Sequence, residues 1–389
     1  MIIFLTGVTG FLGGELLVEL SKKPEVEKIF CLIRANSEEK AAIRLKKVFD
    51  LHNDPFDPQR IIPILGELTD HHLGEKLIQN AQLSQVDTII HSAANTSFSK
   101  IYDDLVEKVN IGGTEQLLHW VKSLENLNLF TYVGTATICG TTVKNALVTE
   151  DMSPNLGSKH LVKYSYTKMM GEILVKNSLP AEKVLIVRPS IIMGDSRDWI
   201  PRSYVILWAL ATVNELRLVP FHAQSHIDII SIDYASQSIV SLVLNSKRKY
   251  GVYHISSGKK SITSPGQVFE AINNLFPEKP DFKFVPKTLL GDMKKWSKNS
   301  TLVDADSHLF QYADYLEYWI NNFGDNTKLR ILFYALEPYI NFIELGQIFD
   351  NTRLLEDTDM GPSIPAHEYL KVSGKHLESI NIFEGAIDP

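Results

Sequence analysis

Apolar runs recur along the first half of the chain, separated by stretches of helical spacing. IIFLTG (2–7), KIFCLIRA (28–35), RIIPILG (60–66), VDTIIHSAA (86–94), LFTYVGTATICG (129–140) and KVLIVRPSIIMG (183–194) read as buried strands. VTGFLGGELLVEL turns helical directly after the first of them. Such alternation predicts an α/β fold, a doubly wound parallel sheet with helices on both faces. IDIISIDYASQSIVSLV and GVYHISSG then add a helix and a final strand. From about residue 261 the pattern changes. ITSPGQVFEAINNLF carries a helix-entry signal at Ser264-Pro265. DYLEYWINNF and LRILFYALEPYINFIELGQIF are amphipathic and rich in aromatics. With SRDWIPRSYVILWALATVNELRLVPFHAQ (196–224) they are expected to form a smaller, mostly helical cap. The expected division is 1–196 and 226–260 for the sheet domain, 197–225 and 261–389 for the cap.

Bulk composition narrows the classes. The 389 residues are enough for a large core, and 44% hydrophobic with 22% charged is ordinary for a soluble globular protein. Formal net charge is 39 − 46 = −7, and no Lys/Arg run offers a nucleic-acid surface. Two cysteines, Cys31 and Cys139, make neither a disulfide framework nor a metal set, which fits a reducing compartment and a cytoplasmic location. MIIFLTGVTG lacks a basic n-region and reads as a first strand, not a signal peptide. The longest apolar run, YVILWALATV (204–213), is too short to span a bilayer.

Chemistry enters at the strand ends. Thr6-Gly7-Val8-Thr9-Gly10-Phe11-Leu12-Gly13 lies between a strand and a helix, the setting in which glycine lets a backbone approach a pyrophosphate and free N–H groups favour the anion. Arg34 stands at the end of the second strand, 21 residues after Gly13, where an NAD-preferring site places a carboxylate. A guanidinium there pairs with a 2′-phosphate, so NADPH is the expected cofactor, with Arg44 assisting. Ser92, Ala93 and Ala94, at the carboxyl end of the fourth strand, are small enough for a cofactor to pass close. His91 beside them reads better as a packed, backbone-bonded histidine than as a base. Asn110 in VNIGGT reads as a buried structural amide that supports the cofactor side. Thr135, with Thr137 as the alternative, ends the fifth strand 29 residues before Tyr164. In YSYTK, Tyr164 is four residues before Lys168 and shares its helix face, whereas Tyr166 does not. A cation held there is expected to lower the phenol from its ordinary pKa of about 10. Cys139 reads as a small core residue, and Glu150 and Asp151 as surface-loop carboxylates.

TGVTGFLG, HSAANTSF, VNIGGT, VGTATICG, YSYTK and VRPSIIMG, in this order, resemble an extended short-chain dehydrogenase/reductase over roughly residues 1–260. CLIRA, LGELTD, IDIISIDYAS and VYHISSG look like its thioester reductase-like branch, which includes fatty acyl-CoA reductases and terminal reductase domains of peptide and polyketide synthetases. ALEPYINF and FDNTRLL carry a looser likeness into the C-terminal region. The resemblance implies a Rossmann-type fold and a triad of Thr135, Tyr164 and Lys168. It implies that Lys168 also binds the nicotinamide ribose, that Pro189, Ser190, Ile191 and Ile192 line the nicotinamide, and that Glu67 and Leu68 stand near the adenine. Two departures are plain: Glu67 replaces the usual aspartate, and Gly134 replaces a serine before Thr135. The activity implied is NADPH-dependent reduction of an acyl thioester to aldehyde or alcohol. A carbonyl reductase, or a sugar-nucleotide epimerase or dehydratase, is the alternative. Because the chain begins at the first strand, the acyl group is expected on a separate carrier, coenzyme A or a carrier protein. A monomer or homodimer is expected. For the aromatic C-terminal stretches three readings stay open: an acyl-chain wall that includes Trp199, Trp208, Trp296 and Trp319, a peripheral membrane contact, or plain packing within the cap.

Overall fold

The computed structural model describes residues 1–199, 205–324 and 326–387. In chain order the first part contains β1 (Ile2–Thr6), α1 (Phe11–Ser21), β2 (Lys28–Ile33), α2 (Glu38–Leu51), β3 (Ile61–Leu65), α3 (Leu73–Gln79), β4 (Thr88–His91), α4 (Asp103–Glu107), α5 (Gly113–Val121), β5 (Leu129–Val133), β6 (Leu147–Val148), α6 (Lys163–Ser178), β7 (Val184–Pro189) and β8 (Ile191–Met193). The remainder contains α7 (Val205–Leu216), β9 (Leu218–Val219), β10 (Ile229–Ser231), α8 (Ile232–Leu244), β11 (Val252–Ile255), α9 (Gly258–Ser261), α10 (Pro265–Asn273), β12 (Lys283–Phe284), α11 (Leu289–Lys298), α12 (Ala313–Phe323), α13 (Asn326–Ile343), β13 (Ile348–Phe349), α14 (Thr352–Asp357), α15 (Ala366–Ser373) and α16 (Ile382–Ile387).

Seven strands form one sheet in the order β11-β7-β5-β4-β1-β2-β3, with every pairing parallel. The order reverses between β1 and β4, so the carboxyl ends of those strands open a crevice for a ligand. Both faces are covered. Leu16, Leu17 and Leu20 of α1 join Ile239 and Val243 of α8 in one core, and Leu117, Trp120 and Val121 of α5 join Phe4 and Phe130 in the other. Parallel strands buried on two sides need continuous apolar runs, which is why IIFLT and KIFCLI read so clearly.

The run at 183–194 is two strands. β7 stays in the main sheet, while β8 leaves it and pairs with β10. The cap has its own core around α7, α10, α11, α12 and α13. Ser264 and Gln267 form a reciprocal capping box at the start of α10, with Pro265 in the first turn. The four tryptophans pack there. Trp208 donates to the Ile382 carbonyl at 2.6 Å and Trp319 to the Leu216 carbonyl at 2.6 Å. Trp296 lies 5.9 Å from Trp319, and Trp199 5.5 Å from Tyr369. None of them reaches the central cavity. The inward faces of α12 and of the first half of α13 are likewise spent on packing, through Leu316, Trp319, Leu329, Leu332 and Phe333, whereas the second half of α13, from Leu336, faces the cavity.

The expected division is crossed where residues 347–357 return to the sheet domain: β13 pairs with β6, and Gln347 donates to the Gly140 and Val143 carbonyls. Leu354 of α14 joins the sheet-domain core, and Tyr253 of β11 donates to Asp357 at 2.6 Å. Thus the chain returns from the cap to the sheet within 261–389, the range expected to belong wholly to the cap. Within the insertion 197–225, residues 200–204 lie outside the described residues. Among the described residues no helix is long and apolar enough to cross a membrane.

Candidate active site

The glycines at the end of β1 are required by close approach. Gly7 has φ +82°, and a Cβ there would stand 2.8 Å from the Ala93 amide nitrogen. A Cβ on Gly13 would stand 2.1 Å from the Gly7 carbonyl oxygen. Helix α1 begins with Gly10 as its N-cap and no side chain capping it, so its first amides are free to meet an anion. Arg44 donates to the Arg34 carbonyl and, at 3.2 Å, to the Thr9 hydroxyl. It therefore braces the loop that presents the exposed Arg34 side chain.

One cavity of about 870 Å³ runs from this loop across the strand ends and under the cap. Its wall includes Gly7, Thr9, Gly10, Phe11, Leu12, Gly13, Arg34, Arg44, Glu67, Leu68, Ser92, Ala93 and Ala94, then Thr135, Tyr164, Lys168 and Pro189 to Ile192. Two sequence candidates lie outside it. The Thr6 side chain is fully buried: its hydroxyl accepts from the Ala93 amide at 3.1 Å and meets His91 Nδ1 at 2.8 Å. Asn110 accepts from the Asn95 amide at 2.8 Å and donates to the Thr167 hydroxyl at 2.9 Å. Both brace the wall from behind and are not placed to touch a ligand. His91 also bonds Thr114 at 3.1 Å, and burial lowers its pKa to about 3. With both ring nitrogens occupied and the ring neutral, it is a packed histidine, not a base.

Tyr164 and Lys168 sit one turn apart on α6, and Tyr166 turns away to pack edge-on against His160. Thr135, just past the end of β5, lines the cavity with Tyr164 and favours its phenolate, while its own hydroxyl meets that of Thr137 at 3.2 Å. Gly171 lets Tyr132 pass beneath the helix, since a Cβ there would be 2.1 Å from the Tyr132 hydroxyl. That ring then lies 4.6 Å beneath the Lys168 ammonium. Burial brings the ammonium down to about pKa 7 and pushes the Tyr164 phenol up to about 12, with Thr135 opposing weakly. The expected lowering of the phenol is thus reversed, because desolvation of the phenolate dominates. The Lys168 ammonium makes no hydrogen bond to a described residue, and only the Tyr132 ring lies against it. A buried, unpaired ammonium facing the cavity fits the hydroxyls of a ribose, as the glycine loop fits a pyrophosphate.

Beneath the site, Arg188 and Glu172 form a fully buried pair at 2.7 and 3.0 Å, tying β7 to α6. Glu150 lies in the expected loop but not at the surface: it is 4% exposed, accepts from the His254 amide at 3.4 Å, and burial raises its pKa. Asp151 does lie at the surface. Cys139 is buried, its thiol pushed up by desolvation. Sequence reasoning missed several wall residues. Asp228, Phe98, Tyr339, Phe342 and Gln347 all line the cavity. Phe98 lies in HSAANTSF and Tyr339 in ALEPYINF, but nothing in their spacing marked them. Among the described residues no group of three or more His, Cys, Asp or Glu could hold a metal ion.

With this geometry in hand, comparison decides the family. Residues 5–239 match the protein family described as Male sterility protein. The chain belongs to that family. Fatty acyl-CoA reductase 1 of Rattus norvegicus is 26% identical over 319 residues, which is 72% of this chain and 62% of that protein. The isonitrile lipopeptide synthase of Mycobacterium tuberculosis is 28% identical over 287 residues, 65% of this chain but only 11% of the synthase. The chain therefore spans less than two thirds of either relative. Probable fatty acyl-CoA reductase 4 of Arabidopsis thaliana is 24% identical over 90% of this chain and 88% of its own length. Among solved structures, the terminal R domain from the myxalamid PKS-NRPS biosynthetic pathway superposes with a TM-score of 0.74 at 21% identity, covering 97% of this chain and 90% of that one. That likeness establishes the fold. The extended short-chain reductase resemblance, with its thioester reductase-like branch, holds for this chain.

Proposed function

We propose that the protein reduces an acyl thioester, held on coenzyme A or on a carrier protein, with NADPH. The observation that carries this reading is the continuity of the cavity. The glycine loop, the group Thr135–Tyr164–Lys168 and an apolar arm under the cap are one space. The arm is walled by Ile206, Leu210, Val213, Phe221, Phe269 and Leu336, a lining suited to an acyl chain. Relatives named as fatty acyl-CoA reductases support the same chemistry.

The glycine loop and α1 would hold the pyrophosphate, Lys168 a ribose, and Arg34 a 2′-phosphate. The preference for NADPH over NADH rests on Arg34, because a guanidinium attracts a phosphate and nothing acidic at that position repels it. When bound, the dinucleotide supplies a hydride. Thr135 and Tyr164 hold the thioester carbonyl oxygen between them and stabilise the charge that grows there, each donor contributing on the order of 3 kcal/mol. Tyr164, neutral at physiological pH, gives its proton to that oxygen. The resulting hemithioacetal expels thiol and leaves an aldehyde. The enzyme contributes no covalent nucleophile, in keeping with a buried, protonated Cys139.

The test is NADPH oxidation by the purified chain with a panel of acyl-CoA thioesters and the matching free aldehydes, while released thiol is titrated. Oxidation matched by thiol release supports thioester reduction and ranks the chains. Oxidation with aldehydes alone would replace this reading with a carbonyl reductase.

A further inference from the structure

The last turns of α13 carry a group that thioester reduction, as described, leaves idle. Pro338 interrupts the hydrogen-bond ladder of that helix. Beyond it Tyr339, Ile340, Phe342 and Ile343 all join the cavity wall. Tyr339 is 8% exposed. Its ring lies between Phe98, 5.2 Å away, and Trp208, 5.6 Å away. Phe98 in turn lies 6.1 Å from the ring of Tyr164. A second phenol, delivered by the cap, thus stands one aromatic ring away from the proton donor.

Its hydroxyl has no hydrogen-bond partner among the described residues. Burial alone pushes the phenol above its ordinary range, with no charge or donor opposing it. Tyr132 and Tyr253 are also buried, but they spend their hydroxyls on the Lys168 carbonyl at 3.3 Å and on Asp357 at 2.6 Å. The groups placed beside Tyr339 are apolar: the Phe98 and Trp208 rings, with Leu336 and Ile340 on its own helix. A plain hydrocarbon drawn into this arm strips water from the phenol and returns nothing, whereas a chain bearing oxygen satisfies it. Sites built to bond a substrate hydroxyl reject the analogue that lacks one. The polar pantetheine arm is the wrong partner, because it must leave toward solvent and not into this apolar end.

We propose that Tyr339 is a specificity-determining residue, whose hydroxyl hydrogen-bonds an oxygen substituent, hydroxyl or carbonyl, on the acyl chain beyond the thioester carbon. This rests on the thioester-reductase reading. The test compares wild type with Y339F, which removes one oxygen and keeps the ring packing. kcat/KM is measured for octanoyl-CoA and for its 3-hydroxy, 5-hydroxy and 3-oxo derivatives. Wild type should prefer at least one oxygenated chain by about tenfold or more. Y339F should lose that preference, its kcat/KM falling at least about tenfold more on the oxygenated substrate than on octanoyl-CoA. Equal losses on all four would put the hydroxyl on the shared pantetheine or the reacting carbonyl and overturn the proposal. Unchanged selectivity in Y339F would overturn it too. Calorimetric binding of the same compounds reads selectivity without turnover. An enzyme that reduces none of them fails the coenzyme A form of the functional reading, while the binding ratio still decides on Tyr339.

Discussion

Replacing Lys168 by methionine should make the empty protein more stable and nearly inactive. The ammonium is buried over Tyr132 with no hydrogen bond to a described residue, and burial brings its pKa from 10.5 to about 7. A displacement of that size corresponds to about 5 kcal/mol against the charged form. Relaxation and water in the open cavity reduce it, so a gain of about 1–3 kcal/mol is expected from a methionine of similar length. The sign follows from linkage. Between pH 7 and 10.5 the unfolded chain binds this proton more strongly than the folded one, so wild-type stability rises with pH across that window. The advantage of K168M should be largest near pH 7 and should fade by about pH 10. Thermal melts of both proteins without cofactor, at pH 7, 8.5 and 10, measure it directly. If K168M melts no higher than wild type at pH 7, the ammonium is not the unsatisfied charge described above, and its assignment to a ribose loses its basis. A protein that retains a destabilising residue at its reaction centre is trading stability for function.

Other changes separate the remaining roles. Y164F should lower kcat by roughly 100-fold to 10,000-fold while leaving the NADPH dissociation constant within about twofold; equal loss of binding would assign the phenol to the cofactor instead. R34A should weaken NADPH binding by roughly 10- to 100-fold and leave NADH binding nearly unchanged, measured by quenching of intrinsic fluorescence. G13A must move the Gly7 carbonyl, because its methyl would start 2.1 Å away. The loop then no longer fits a pyrophosphate, and NADPH binding should be lost while the melting temperature falls only modestly.

The sheet was legible because it is buried on both faces. Its strands are unbroken apolar runs, and the glycine spacing after β1 is dictated by backbone contacts that no other residue permits. Two features hid themselves. β8 continues the apolar run of β7, so nothing in VRPSIIMG marks the point where the chain leaves the main sheet for β10. Glu150 reads as a surface carboxylate in sequence because its burial depends on β11 and on Arg353, about 100 and 200 residues away. The cap was legible only as helix. Amphipathic spacing says that one face is covered, but a tryptophan in a core and a tryptophan on a ligand wall carry the same pattern, and all four pack in the core region or against Tyr369. Thr6, His91 and Asn110 illustrate a third limit. A polar residue beside a cofactor motif can support the wall from behind, and only the hydrogen-bond partners tell the difference.

The pH dependence of turnover follows from which group is nearer neutrality. In the empty protein Tyr164 stands at about 12 and Lys168 at about 7. A phenol held that high stays protonated at every pH an assay covers, which suits a donor in the reductive direction and not a base in the oxidative one. Its titration therefore cannot set the alkaline limb of the rate profile. Lys168 can. Its charged form is present below about pH 7 and is lost as pH rises through that value, taking with it the attraction for an anionic dinucleotide and for the oxyanion beside Tyr164. Because kcat/KM for NADPH reports the free enzyme, it should decline above about pH 7. The corresponding limb in kcat should lie higher, since bound phosphates favour the ammonium. A kcat/KM that stays flat to about pH 9 and falls only near 10 would mean that Lys168 is charged in the free enzyme at neutral pH. The stability gain predicted for K168M would then have to vanish as well.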